Sequence, residues 1–339
     1  MAFDNKGAKE QLIKLLRQPR QALLVVGSGS SVPLGYPTWQ QLLDELRARV
    51  VPELACFPTG DLLERASLIK RFLDQYDDRT ARLRQYEQYL SERFKQHNPG
   101  HAFFHRTLVQ LPFCGIVTTN YDPVLEHAAT FVGVQNGHSA QCITIDLCSC
   151  EHFLVFQFLR DLAAPLPTPS AVLHVHGFWK NPHQMILSSE DYDKSYGLVE
   201  AGGPTTGPLA LPKRSLHTLH RKVVWSLLTM HPAVFVGFSM EDPAFVKMLE
   251  FIREDFELAP DPPKHFALLG SRTEEEREQD MRRLWKFGVM PVFYDVITDP
   301  SGSGDHTALT NLIEELGANM NVVPTTPSVD SITRRLLER

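Results

Sequence analysis

The chain has 339 residues, 43% of them hydrophobic and 22% charged. That is ordinary globular usage, which excludes a disordered polymer, and no apolar run approaches the roughly 20 residues a membrane-spanning helix needs. With 34 Lys and Arg against 40 Asp and Glu the net charge is −6, so there is no overall cationic excess with which to grip a nucleic-acid backbone.

The length fits one large α/β unit or two domains. MAFDNKGAKEQL at the amino terminus has no apolar core behind basic residues, so no secretory signal is read there and a cytosolic location is expected. Five cysteines, an odd number with no disulfide-type spacing, agree with a reducing compartment. No internal repeat or low-complexity tract is present.

Along the chain, short β-branched apolar runs alternate with amphipathic helical stretches, the pattern of a parallel sheet wrapped by helices. Strands are expected at residues 22–27 (ALLVVG), 115–119 (GIVTT), 142–146 (CITID), 171–175 (AVLHV), 233–237 (AVFVG), 265–269 (HFALL) and 291–294 (PVFY). Most are continuous apolar runs, as strands buried on both faces should be.

The first strand ends in Gly27-Ser28-Gly29-Ser30-Ser31. Such a turn lets backbone N–H groups approach a pyrophosphate closely, although the third glycine of GxGxxG is missing and an ordinary strand-to-helix turn also accounts for these glycines. The long stretch before the second strand reads as helical, including TWQQLLDELRARV, GDLLERASLIKRFL and RTARLRQYEQYLSERF. We read residues 51–110 as a helical module inserted into a sheet core formed by residues 1–50 and 111–316, with Asn98-Pro99-Gly100 as a turn.

After the second strand comes Thr118-Thr119-Asn120-Tyr121-Asp122-Pro123. Polar side chains at the carboxyl end of a parallel strand point into the crevice where open α/β sheets bind ligands. Asp122 also suits a helix cap followed by Pro123, but capping leaves Asn120 unexplained. Cys142, Cys148 and Cys150, with His152 nearby, are a poor tetrahedral set, and no metal site is expected. His174-Val175-His176-Gly177 stands at the end of the fourth strand; alternation puts both imidazoles on one face, as metal ligands or as backbone-bonded structural residues.

Residues 197–214 (GLVEAGGPTTGPLALPKR) are Gly/Pro-rich and long for a simple connection, as a mobile loop or a lid would be. Gly237-Phe238-Ser239-Met240-Glu241-Asp242-Pro243 closes another strand, with Asp242 and Pro243 suited to cap the next helix. Residues 317–339 read as a polar tail ending in a short amphipathic segment, SITRRLLER.

In this order the motifs resemble the Sir2 superfamily, and within it the bacterial SIR2-like branch of NAD-consuming defence proteins. GSGSSVPLGYPTW is similar to that family's glycine-rich NAD loop, TTNYD to its Asn-containing signature, HVHG to its catalytic His-Gly and GFSMEDP to its Gly-Ser segment near the adenosine ribose. The resemblance runs from Gly27 to about Ser271 and implies a Rossmann-like parallel sheet flanked by helices, with an inserted helical module. It departs from the deacylase branch, which carries two CxxC pairs around zinc, and Thr38-Trp39-Gln40 stands where that branch has Asp-Phe-Arg.

By this resemblance NAD+ is the substrate and Asn120 and His176 are catalytic. The amide of Asn120 would hold the ribose or the attacking water, while His176 would act as general base. Gly27, Ser28, Gly29 and Ser30 would bind the pyrophosphate, Gly237 and Ser239 the adenosine side, and Thr119 and Asp122 would support the nucleotide and the surroundings of Asn120. Tyr36 and Trp39 would cover the nicotinamide, a place that burial in the core explains equally well, and His174 would be structural. The implied activity is an NAD+ glycohydrolase acting as effector in an anti-phage abortive-infection system. Its implied partners are further copies in a homo-oligomer, or a separate sensor of ATPase or Argonaute-like type, with no membrane and no direct nucleic-acid binding. A lysine deacylase and a non-catalytic NAD or ADP-ribose scaffold are the alternatives.

Overall fold

The computed structural model describes residues 4–54, 61–95, 100–137, 141–149, 152–163, 171–197, 218–256, 263–298 and 304–322. Of the sequence expectations, Asn98, Pro99, Cys150, the stretch beyond Gly197 and the tail from residue 323 lie outside these residues.

Seven strands make one parallel sheet: β1 (Leu23–Val26), β2 (Gly115–Thr118), β3 (Ile143–Asp146), β4 (Ala171–His174), β5 (Ala233–Val236), β6 (His265–Ser271) and β7 (Val289–Asp295). Their order is β3-β4-β2-β1-β5-β6-β7, and every neighbouring pair is parallel. Each coincides with an apolar run of the sequence. A two-residue antiparallel ribbon follows, β8 (Ile297–Thr298) against β9 (Gly304–Asp305), too short to leave a pattern in the sequence.

All four side chains of β1 are buried, alternately on opposite faces. Leu23 and Val25 join a core closed by α7 (His152–Asp161), α9 (Leu219–Met230), α10 (Pro243–Asp255) and α11 (Glu274–Trp285). Leu24 and Val26 join a second core, closed by α1 (Asn5–Leu16), α5 (Phe103–Gln110), α6 (Val124–Gln135) and α12 (Thr307–Asn319). This is the α/β sandwich of a Rossmann-like fold. Among the described residues no helix is long and apolar enough to cross a membrane.

A third core lies apart, where α2 (Trp39–Val50), α3 (Leu62–Asp74) and α4 (Arg79–Phe94) pack through Leu43, Leu46, Ile69 and Leu90. Packing groups two helices differently from the expected boundaries at 50/51 and 110/111. α2 buries its stripe in this third core, whereas α5 buries Phe104 and Leu108 against the sheet layer. An amphipathic stripe shows that a helix has a buried face, not which neighbour covers it. α12 likewise runs on to Asn319, beyond the expected limit at 316.

Register positions the site. Val26 is level with Thr118 of β2 and Val236 of β5, and Thr118 is level with His174 of β4. The segments that follow these strands therefore emerge side by side along one edge of the sheet. The strand order also reverses at β1, from which the chain moves outward to β2 on one side, while β5 begins the other side. Crevices at such reversal points are where open α/β sheets bind ligands.

Candidate active site

The loops after β1 and β5 interlock backbone to backbone. Gly27 N–H donates to Val236 O at 2.9 Å and Gly29 N–H to Gly237 O at 3.0 Å. A Cβ on Gly27 would stand 2.5 Å from Gly237 O, and one on Gly237, at φ +64°, 2.5 Å from Ser30 N. These glycines are required first by each other, because only a bare backbone allows this approach. Ser30 is buried beneath the loop with its hydroxyl donating to Gly27 O at 2.8 Å.

Asn120 is buried just beyond β2. Thr118 Oγ1 accepts its backbone N–H at 3.0 Å while donating to Val26 O at 2.9 Å. The side-chain amide donates to Ser31 Oγ at 3.1 Å and lies 3.4 Å from Ser30 Oγ. Ser31 in turn hydrogen-bonds Asp122, whose Oδ1 also accepts the Val124 N–H at 3.1 Å. Burial raises the Asp122 carboxyl to about 6, against the opposing effect of these bonds. Among the described residues Asn120 Oδ1 has no hydrogen-bond partner.

His174 lies below. Its Nδ1 is 2.7 Å from Asn120 O and its Nε2 2.7 Å from Glu126 Oε1 on α6. The Asn120 carbonyl can only accept, so Nδ1 carries a proton, and the carboxyl beside Nε2 favours the charged ring. Burial alone would depress its pKa, but the Glu126 charge and hydrogen bond together with the Asn120 carbonyl raise it. The structural role expected of His174 thus includes fixing the backbone of Asn120.

His176, 3% exposed, differs. Its Nε2 has no partner among the described residues, while Nδ1 lies 3.5 Å from the Tyr192 hydroxyl and 3.7 Å from Asp242 Oδ2. Burial lowers its pKa, only partly offset by Asp242, which leaves a neutral imidazole at pH 7. Tyr192 sits on α8 (Ser189–Tyr196), whose first turn is held by Ser188 at its amino terminus and tied to α3 by the Lys70–Asp191 and Arg71–Glu190 ion pairs. Gly177, at φ +100°, turns the chain away after His176; a Cβ there would lie 3.0 Å from Met185 Cα.

These segments open on a cavity of about 340 Å³, closed on the far side by Tyr36, Trp39, Leu62 and Phe94 of the third core. Of the residues expected at the site, Gly27, Ser28, Thr119, Asn120, Asp122, His176, Gly237 and Ser239 line it, as do Tyr36 and Trp39. Gly29 and Ser30 stand apart from the lining, packed where the two loops meet. Ser31, Tyr192, Glu241 and the second role of Asp242 were not anticipated. Ser31 stood in the glycine-serine run, but Tyr192 has no motif around it and reaches the cavity only through tertiary packing. Among the described residues, the charged side chains of the lining are Asp122, Glu241 and Asp242; the backbone N–H groups of the turns are donors that a phosphate group could meet there.

Among the described residues no group of three or more His, Cys, Asp or Glu side chains could hold a metal ion. Cys142 is buried, and Cys148 Sγ lies 3.4 Å from His220 Nε2.

A family model described as a SIR2-like domain matches residues 115–290. The NAD(+) hydrolase ThsA of Bacillus cereus (strain MSX-D12) is 22% identical over 269 residues, which cover 79% of this chain and 46% of that protein. The chain thus spans about half the length of the curated relative it matches.

Proposed function

The chain belongs to the SIR2-like domain family, and from that premise we propose that it is an NAD+ glycohydrolase, converting NAD+ and water to nicotinamide, ADP-ribose and a proton. The observation that carries this reading is the pairing, on one cavity wall, of buried Asn120 and His176, each with a side-chain atom left without a partner. A buried polar atom without a partner is costly in a fold, and such sites are kept where a ligand completes them. The named activity of the relative supports the same substrate.

Nicotinamide leaves as a neutral base from a cationic ring, so its departure needs no general acid. The barrier lies in positive charge developing on the ribose. Asn120 Oδ1 would hold a ribose hydroxyl or the attacking water, its amide fixed by the Ser31–Asp122 chain. His176, neutral at pH 7, would take the proton released as water adds. The carboxylates of the lining face the developing cation with favourable charge. Gly27 and Ser28 would meet the pyrophosphate and Gly237 and Ser239 the adenosine side, while Gly29 and Ser30 shape the loop.

The effector role in anti-phage defence, with control by assembly into a homo-oligomer or by a separate sensor, belongs to the same proposal. It is tested by nicotinamide release from NAD+ across a range of protein concentrations, with and without an acylated peptide. Release without peptide that rises steeply with concentration and disappears in Asn120→Ala and His176→Ala is expected. Strict dependence on peptide would indicate a deacylase, and binding without turnover a scaffold. Vigorous turnover by a dilute monomer would remove the need for a partner or assembly.

A further inference from the structure

Capping accounts for only half of the Asp242 carboxylate. Oδ1 accepts the N–H groups of Ala244 and Phe245 at 3.0 and 3.1 Å, closing the first turn of α10 with Pro243 at its start. Oδ2 turns the other way and accepts the Tyr192 hydroxyl at 2.8 Å. The Tyr192 ring stands edge-on to His176, centroids 5.2 Å apart.

We propose that Asp242 and Tyr192 are positioning residues that set the proton on His176. A hydroxyl has one proton, and here it goes to the carboxylate. The Tyr192 oxygen is then an acceptor toward the His176 ring, so the ring proton sits on Nδ1 and the lone pair on Nε2. This rests on the reading of His176 as the general base, and adds how the base is held in the tautomer that can act. When water adds to the ribose and the nicotinamide bond breaks with its electrons leaving on nicotinamide, the water proton passes to Nε2. The imidazolium formed then has Asp242 Oδ2 3.7 Å from Nδ1, where a carboxylate stabilises it.

The surroundings favour Asp242 as the source of this effect. The titratable groups facing His176 are Tyr192 and Tyr196 of α8, His220 of α9 and Asp242. Burial holds His220 near 4 and both tyrosines far above neutrality. Of these described groups, Asp242 is the one that acts on His176 as a negative charge.

Asp242→Asn isolates the effect, because an Asn side-chain oxygen caps a helix as well as Asp does. Its amide donates to the Tyr192 oxygen, the hydroxyl swings toward His176 Nδ1, and the ring proton moves to Nε2. In ¹⁵N spectra of histidine-labelled full-length protein, with His176 assigned by its loss in His176→Gln, we expect the Nδ1–H tautomer in the wild type and Nε2–H in Asp242→Asn. For NAD+ cleavage we expect kcat to fall about 10²- to 10³-fold in Asp242→Asn with KM unchanged. Tyr192→Phe should cost less, since Asp242 can then meet Nδ1 directly. The same tautomer in both proteins, or a wild-type kcat in Asp242→Asn, would overturn the proposal. Failure of the underlying reading looks different: His176→Ala would retain cleavage, while the tautomer would still report whether Asp242 sets it.

Discussion

Two histidines two residues apart, His174 and His176, are 0% and 3% exposed, yet their chemistry is opposite. His174 has a partner on each nitrogen, Asn120 and Glu126, which together favour its charged form. His176 has one loose partner and one bare nitrogen, and burial keeps it neutral. Burial and residue type do not separate a supporting group from the one proposed to react. The hydrogen-bond valences left unfilled do.

The largest effect separating the two should come from His176→Gln. Removing a base in the site is expected to slow nicotinamide release about 10²- to 10⁴-fold, and the midpoint of urea unfolding should hardly move, because no strong partner is lost. A large loss of stability in this variant would place His176 with His174 as a structural residue.

Glu126→Ala should do the reverse. It leaves the His174 cation buried without its anion, a change that costs about 3–5 kcal/mol when one member of a buried pair is removed. Urea unfolding reads this directly. A change below about 1 kcal/mol, the range of exposed pairs, would mean that the pair carries no buried charge.

pH should move the two histidines in opposite directions. For His174 the folded pKa is raised, so its contribution is fully present below the unfolded value of about 6.5 and is lost as pH rises through the folded value. For His176 the folded pKa is lowered, so neutral His176 is tolerated above about 6.5 and charging it destabilises the fold as pH falls toward the folded value. Unfolding midpoints across pH should therefore show the gap between wild type and His174→Gln narrowing at alkaline pH. The wild type should weaken relative to His176→Gln at acid pH. Parallel curves would erase the distinction between the two rings.

How far this was legible in the sequence follows from what each feature depends on. The seven strands stood out because runs such as LLVV and AVFV are buried on both faces, which leaves no polar alternation to confuse them with helix. The strand-end motifs stood out because polar residues there interrupt apolar runs. Asn120 and His176 accordingly stood out as candidates, whereas Tyr192 lies in a polar helix, SEDYDKSY, whose role arises only when α8 brings it beside His176. Gly27 and Gly29 were attributed to a phosphate, but their immediate partner is Gly237: close approach is readable in a glycine, and the identity of what approaches is not. The same limit applies to α2 and α5, whose stripes announced burial without naming the surface that covers them.

The smallest predicted effect concerns Asp122, which stands between the two histidines in character, being a buried group that supports Asn120 yet prefers to be neutral. Its folded pKa is raised to about 6 from 3.8. Below 3.8 it is protonated in both the folded and unfolded chain and makes no difference; as pH rises through 6 the folded protein must ionise a buried carboxyl, and stability falls. Asp122→Asn removes that cost and keeps an oxygen for the Val124 N–H, so it should stabilise the protein by about 1–3 kcal/mol at pH 7.5 and hardly at all near pH 4. The gain should come with slower NAD+ cleavage. An amide at position 122 can donate to Ser31, turning the Ser31 hydroxyl proton toward the Asn120 side-chain N–H groups that it now accepts. Stabilisation at pH 7.5 with kcat retained would show that the Ser31 link does not orient Asn120; no stabilisation at all would show that Asp122 is not held against its preferred charge state, and that the strain of this site lies with His176 alone.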